Sequence, residues 1–357
     1  MREHAARPGG VDVAKDVRAR VGVGVVAVGA TALIGAVLLW WGGYDPQVAA
    51  GAMFRGSFGS WNTFASITLV RSVPLILTGL AVSLAFRAGV WNIGAEGQLY
   101  AGAIAAVWVG LRGATLPALI LVPAVLMAAT LGGAAWAMVP ALMRLRLGIG
   151  EVITTILMNF VGIYLAAYMV HGPLQESRGV FPQTDRLVEA ARLPILVPST
   201  RLHLGFALAL LLAAGLAVLL RRSTFGFQLR AVGASPEAAR VAGRIRTGRV
   251  VLASFLVSGG IAGIAGGVEI SGLTYALYEG LSPGWGYTAI AVALLGALDP
   301  IGVVVAGVFF GALQAGAGAM QREAGVPAAW VGVVEASVIL TVLALARLRA
   351  VGRRGGS

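Results

Sequence analysis

Long apolar runs constrain this chain before anything else. Val21–Trp41 is an almost unbroken apolar run, and comparable runs recur to the end of the sequence. About 20 apolar residues suffice to cross a hydrocarbon core of about 30 Å. Within such a core every backbone N–H and C=O must be paired inside the protein, which a helix achieves on its own. Only 12% of the residues are charged and 58% are hydrophobic, whereas an ordinary soluble domain is about 25% charged. The sequence therefore reads as an all-α polytopic membrane protein. Its 51 glycines agree with that, because small residues let membrane helices approach closely.

Apolar periodicity and turn residues predict about ten transmembrane segments, near 21–41, 67–86, 93–111, 116–143, 152–170, 204–220, 250–268, 285–298, 301–319 and 330–346. Residues 1–20 form a polar cytoplasmic tail, 21–346 one transmembrane domain and 347–357 a basic cytoplasmic tail. Tyr44–Trp61 and Glu269–Gly284 read as external loops, and so does His171–Arg201 with its four prolines. Arg221–Arg249 (residues 221–249) is the longest cytoplasmic loop. This orientation puts 19 of the 27 Lys and Arg residues inside, as the positive-inside rule requires. The segment 285–298 is short for a full crossing, which predicts a broken or re-entrant helix. Asp299-Pro300 predicts a capped helix start, with proline at the first helical position.

The formal net charge of +12 raises a nucleic-acid reading. The arginines, however, lie scattered in short loops between apolar spans and form no patch, so no nucleic-acid partner is expected. The chain has no cysteine, which excludes disulfides, thiolate metal sites and cysteine nucleophiles. His4, His171 and His203 are far apart in sequence, and no metal cluster or nucleophile–base set stands out. Lys15 is the only lysine, so a G-x-x-x-x-G-K-[ST] phosphate loop cannot be written anywhere. The chain is not expected to be an enzyme or to bind a cofactor, and any ATP hydrolysis must occur on another polypeptide.

Val232–Gly243 reads V-G-A-S-P-E-A-A-R-V-A-G and carries full helix punctuation. Ser235 suits the N-cap, Pro236 the first turn, Glu237 the positive end, Arg240 the negative end and Gly243 the C-terminal stop. A helix of about two turns results, too short to span and suited to a surface. Val90–Gly102 clusters Asn92, Glu96 and Gln98 beside Gly94 and Gly97. It reads either as a capped helix start or as a polar breakpoint lining a pathway. Glu151, Thr155 and Asn159 recur at i, i+4 and i+8, on one helical face. They line a pathway, or else Glu151 sits at the headgroups and Asn159 bonds a neighbouring helix. Glu269, Ser271, Thr274, Tyr275, Tyr278 and Glu279 form an external group, and Glu335, Ser337 and Thr341 in the last segment share one helical stripe in part. The glycine breaks at Gly94–Gly97 and Gly284–Gly286 echo one another, as paired interruptions do in inverted repeats with broken helices.

Four stretches carry a family resemblance. They are GLAVSLAFRAGVWNIGAEGQ at Gly79–Gln98, EVITTILMNFVGIY at Glu151–Tyr164, AVGASPEAARVAG at Ala231–Gly243 and GYTAIAVALLGALDPIGVVVAGVFFG at Gly286–Gly311. Together they resemble the permease subunits of ABC importers in the sugar, nucleoside and branched-chain amino acid permease family, over nearly the whole chain. The form N-I-G-A-E-G-Q with E-V-I-T-T-I-L-M-N, and Val180-Phe181-Pro182-Gln183-Thr184 in the long loop, look like the nucleoside-uptake branch. The resemblance implies a multi-pass protein of a bacterial inner or plasma membrane. It implies alternating access driven by a separate cytoplasmic ATPase, which uses ATP and Mg²⁺. It also implies an extracellular or periplasmic substrate-binding protein and a second permease chain, related or identical. On it, Gly233, Ser235, Pro236, Glu237, Ala238, Ala239, Arg240 and Gly243 are the ATPase-coupling element; Asn92, Glu96, Gln98, Glu151, Thr155 and Asn159 stay the substrate-pathway candidates that the residues themselves offer. Arg244-Ile245-Arg246 is more basic than the family pattern. Permeases for simple sugars or branched-chain amino acids are the nearer alternative, and a stand-alone secondary transporter or channel the remoter one.

Overall fold

The computed structural model describes residues 29, 33–241, 245–327, 330, 332–333, 336–337 and 340–341. The first and tenth expected segments fall largely outside them, as do Gly243 and Glu335. The chain divides into two compact units, one of residues 1–52 with 319–357 and the other of residues 53–318. In the first, helical residues 33–41 lead to Tyr44, whose ring meets Trp330 edge-on at 6.4 Å.

The described helices, in order, are α1 (Pro46–Phe58), α2 (Trp61–Arg87), α3 (Ala95–Arg112), α4 (Ala118–Leu147), α5 (Glu151–His171), α6 (Leu204–Arg222), α7 (Thr224–Ala234), α8 (Pro236–Val241), α9 (Thr247–Thr274), α10 (Trp285–Leu295) and α11 (Pro300–Glu323). Six of them, α2, α4, α5, α6, α9 and α11, are long and apolar enough to cross a membrane. The protein is a multi-pass membrane protein. Among the described residues, the second, fourth, fifth, sixth, seventh and ninth expected segments are these six long helices, and the third and eighth are the more polar α3 and the 11-residue α10. Tyr44–Trp61 is not a loop as expected but mostly α1, and α9 carries the seventh segment on through a π-helical end as far as Thr274.

Burial follows the sequence's hydrophobic pattern. From Val70 to Ala85, α2 is almost completely buried, as befits a helix apolar on every side. In contrast, α4, α5 and α6 leave Leu131, Leu157 and Leu211 exposed on apolar faces of the kind lipid covers. The centre is the packing of α3, α4 and α9. Backbones touch there because side chains are missing: a Cβ at Gly133 would lie 2.7 Å from Gly263 Cα, and one at Gly259 would lie 2.5 Å from the Gly133 carbonyl.

Residues 172–203 lie across residues 271–279. Thr184 N–H donates to the Leu277 carbonyl at 2.8 Å, Leu187 N–H to Tyr275 at 2.8 Å and Leu193 N–H to Ser271 at 2.8 Å. His203 closes this cover as the N-cap of α6, its Nδ1 accepting from Gly205 N–H at 3.2 Å. An accepting nitrogen must be unprotonated, and burial pushes the ring's pKa from 6.5 down to about 4. Below pH 6.5 the unfolded chain therefore binds a proton that the folded chain refuses. Stability is complete above pH 6.5 and falls between pH 6.5 and about 4, by up to about 3 kcal/mol. Melting of the detergent-solubilised protein across that range is expected to show the fall, and His203→Asn, which can still cap α6, is expected to flatten it.

Candidate functional site

Two helix starts face each other inside residues 53–318. One opens α3 after the non-helical stretch 88–94, and the other opens α10 after Gly284. Gly284 turns at φ +99°, a region that glycine enters without a Cβ clash. The approach is close enough that a Cβ at Gly286 would collide with the backbone of Ala95 and Glu96.

Each helix start leaves free N–H groups that need acceptors. At α10 the Ser282 hydroxyl accepts from Gly284 and Trp285 N–H at 3.1 and 3.0 Å. Glu96 Oε2 accepts from Gly286 N–H at 2.6 Å, so a carboxylate of α3 caps a different helix. The positive end of the α10 dipole favours it there. Tyr100, one turn further along α3, brings its hydroxyl to Ser282 N–H at 3.1 Å.

At the start of α3, Asn92 Oδ1 accepts from Gly94 N–H at 3.0 Å and from Gln98 Nε2 at 2.9 Å. Asn92 Nδ2 donates to Gln98 Oε1 at 3.1 Å and to Ser258 Oγ at 2.9 Å. Ser258 in turn donates to the Ala81 carbonyl at 2.7 Å, tying α9 and α2 to the same point. Asn159 completes the set from α5: its Oδ1 accepts from Gly97 N–H at 2.8 Å and its Nδ2 donates to the Ile93 carbonyl at 2.9 Å. Asn92, Glu96, Gln98, Asn159 and Ser258 are all essentially removed from solvent. Ser258 lies about 16 Å along α9 from its start, so this polar set is well inside the span. Trp285 Nε1 is buried and has no hydrogen-bond partner among the described residues.

The structure thus brings Asn92, Glu96, Gln98 and Asn159 together, with Thr155 packed beside Gly94. Glu151, the first residue of α5, is half-buried and paired with Arg144 Nη1 at 2.8 Å, and its Oε1 also accepts from Trp91 N–H at 3.4 Å, beside Asn92. The helix begins at Ala95, so Asn92 turns the preceding loop instead of capping α3 directly. Ser258 and Trp285 were not singled out in the sequence, and Gly286 only as part of a glycine break. Ser258 sits in a Ser-Gly-Gly run amid an apolar segment, the one local sign that the backbone there is approached closely.

The predicted coupling stretch lies at the arginine-rich face, apart from this set. Ser235 caps α8 as expected, Ala238 N–H donating to its hydroxyl at 3.2 Å, and Pro236 is the first helical residue. The stretch is not one helix, however. Val232, Gly233 and Ala234 are the last residues of α7, a helix hidden in the sequence because its TFGFQLRAVGA has no apolar stripe strong enough to mark it. Gly233 lies so tightly on α2 that a Cβ would collide with the Arg87 carbonyl, and Gly89 sits 3.3 Å away by the same measure. Pro236, Glu237, Ala238 and Arg240 are exposed, while Ala239 is buried against the protein.

Residues 64–343 match the family described as the branched-chain amino acid transport system permease component. The glucose ABC transporter permease protein TsgB13 of Haloferax volcanii is 40% identical over 332 residues, covering 90% of this chain and 87% of that protein. The guanosine ABC transporter permease protein NupP of Bacillus subtilis is 39% identical over 314 residues, 86% of this chain and 88% of that one. A second Bacillus subtilis protein, the guanosine ABC transporter permease protein NupQ, is 28% identical over 258 residues, 69% of this chain and 79% of its own. No solved structure matches.

Proposed function

The chain belongs to the permease-component family of branched-chain amino acid transport systems, and from that premise we propose that it carries nucleosides inward by alternating access. It is a transport subunit and not an enzyme. The buried polar set at the facing starts of α3 and α10 carries this reading. Broken helices meeting at mid-span, with polar side chains between them, are where transporters place a substrate. The unpartnered Trp285 indole N–H supplies a further donor, and amides with a carboxylate suit the hydroxyls and ring nitrogens of a nucleoside. Simple sugars are the second reading, favoured by the 40% identity to the Haloferax volcanii glucose permease. Both substrate classes present a ring of hydroxyls.

In this reading the protein sits in the plasma membrane with Arg221–Arg249 in the cytoplasm. The exposed edge of α8 (Pro236, Glu237, Ala238, Arg240) meets a cytoplasmic ATPase, together with Gly233 and Ala239 beneath it. A substrate-binding protein delivers from outside. The second permease is a related chain, as two guanosine permeases of one Bacillus subtilis strain both resemble this one.

The test is reconstitution with an ATPase and a substrate-binding protein encoded beside this chain. Guanosine is expected to stimulate ATP hydrolysis and uptake, and preference for glucose or leucine would move the reading to the sugar or amino-acid class. Glu237→Lys is expected to cut uptake by about tenfold or more at unchanged membrane abundance, since a reversed charge at a docking surface costs association. Normal transport by that variant would remove α8 from the coupling role.

A further inference from the structure

At the arginine-rich face three separate pieces of chain converge on Asp299. Its Oδ1 accepts from Arg221 Nη2 at 3.1 Å and lies 3.7 Å from Arg87 Nη2. Its Oδ2 accepts from Ile301 and Gly302 N–H at 3.1 and 3.4 Å, capping α11. Arg87 Nε also donates to the Leu298 carbonyl at 2.7 Å. Burial acts to raise the Asp299 pKa, but the hydrogen bonds from Arg221, Gly302 and Ile301 outweigh it and hold the carboxyl below its usual range. The turn that presents Asp299 is strained, with Ala297 at φ +52° and Leu298 at φ +57°. Two successive non-glycine residues in that region persist only where their surroundings hold them, and Arg87 grips that turn.

The three partners are not arbitrary in the chain. Arg87 ends α2, immediately before the stretch 88–94 that places Asn92 and leads into Glu96. Asp299 follows α10, whose first residues hold the Glu96 carboxylate. Arg221 closes α6, where the connection to α7 and α8 begins. The same Arg87 backbone is the surface on which Gly233 of α7 rests. A displacement of α7 therefore bears on Arg87, and Arg87 bears on both broken helices.

We propose that Asp299, with Arg87 and Arg221, is a positioning cluster that ties the α7–α8 connection to the two facing helix starts and so sets the register of Glu96 against Gly286. The cluster acts through Glu96 and touches no substrate itself. It rests on the reading of the chain as an ATP-driven permease. The Arg221–Asp299 pair adds little to stability, because the Arg221 side chain is 61% exposed and ion pairs in water contribute little.

Asp299→Asn isolates the charge, because asparagine caps a helix as well as aspartate does. The measurement is uptake and ATP hydrolysis in proteoliposomes with the ATPase and binding protein. Wild-type protein is assayed first; if it shows no substrate-stimulated hydrolysis, the importer reading fails rather than the cluster. Given a coupled wild type, Asp299→Asn is expected to raise the ATP consumed per substrate imported by about fivefold or more, with a raised KM for transport and unchanged protein yield. Asp299→Glu, which keeps the charge, is expected to fall between the native protein and Asp299→Asn. Should Asp299→Asn fail to assemble, Arg221→Ala carries the same expectation from an exposed position. A wild-type coupling ratio and KM in an assembled Asp299→Asn or Arg221→Ala protein would overturn the proposal.

Discussion

Glu96→Ala is expected to reduce uptake by at least about tenfold while the protein still reaches the membrane. The carboxylate is buried and accepts from Gly286 N–H at 2.6 Å across the two facing helix starts. Without it, that N–H is left buried and unpaired, a cost of about 1–3 kcal/mol, and the start of α10 loses the contact that fixes it on α3. One factor of ten in rate corresponds to about 1.4 kcal/mol, so a loss of this size moves transport by one order of magnitude or two. Glu96→Gln keeps an oxygen acceptor at the same place but not its charge. Charge-assisted bonds are about twice as strong as neutral ones, so the glutamine variant should retain more activity than alanine and less than the native protein. Uptake of labelled guanosine and glucose, normalised to membrane protein, checks the series. Equal activity in all three proteins would mean that the α3–α10 junction is packing alone.

The class of the fold was legible because lipid imposes one strict rule. Apolar runs of helical length announce spans, and the missing Walker lysine (Lys15 stands alone) placed the motor on another chain. Cap chemistry is local, so Ser235-Pro236 and Asp299-Pro300 marked their helix starts without any tertiary knowledge. The shortness of the 285–298 segment also foretold the half-length α10. Tertiary partnership was not legible. Nothing in the spacing of Glu96 says that its acceptor oxygen serves Gly286, some 190 residues away. Ser258 looks like one more small residue in an apolar helix until Asn92 is placed against it. The helix α1 was lost because Gly51, Gly56 and Ser57 weaken the pattern, and α7 because its buried positions, Gly226, Leu229 and Val232, make only a thin stripe. The echo between the two glycine breaks was visible as composition, but that the breaks touch is a fact of packing.

The strongest structural effect is expected where α4 and α9 meet. A Cβ at Gly263 would collide with the Ala129 carbonyl and stand 2.9 Å from Gly133 Cα and 3.0 Å from Gly133 N. All three obstacles are backbone, so no side chain can swing aside, and the helices themselves must separate. Overpacking in a well-filled core costs about 1–3 kcal/mol, and a branched residue multiplies the displacement. Gly263→Ala is therefore expected to lower the melting temperature of the purified protein by several degrees, and Gly263→Val to prevent its recovery as folded protein. The displacement also reaches the polar set, because α9 carries Ser258 five residues before Gly263. Pushing α9 outward stretches the 2.9 Å bond to Asn92, so uptake by Gly263→Ala should fall further than its stability alone explains. Gly215, in α6, is the matched control: a Cβ there meets nothing within 4 Å. Gly215→Ala should equal the native protein in stability or exceed it by up to about 1 kcal/mol, because alanine is the better helix former. If the two alanine variants melt alike, close backbone contact between α4 and α9 is not what holds the polar set in place.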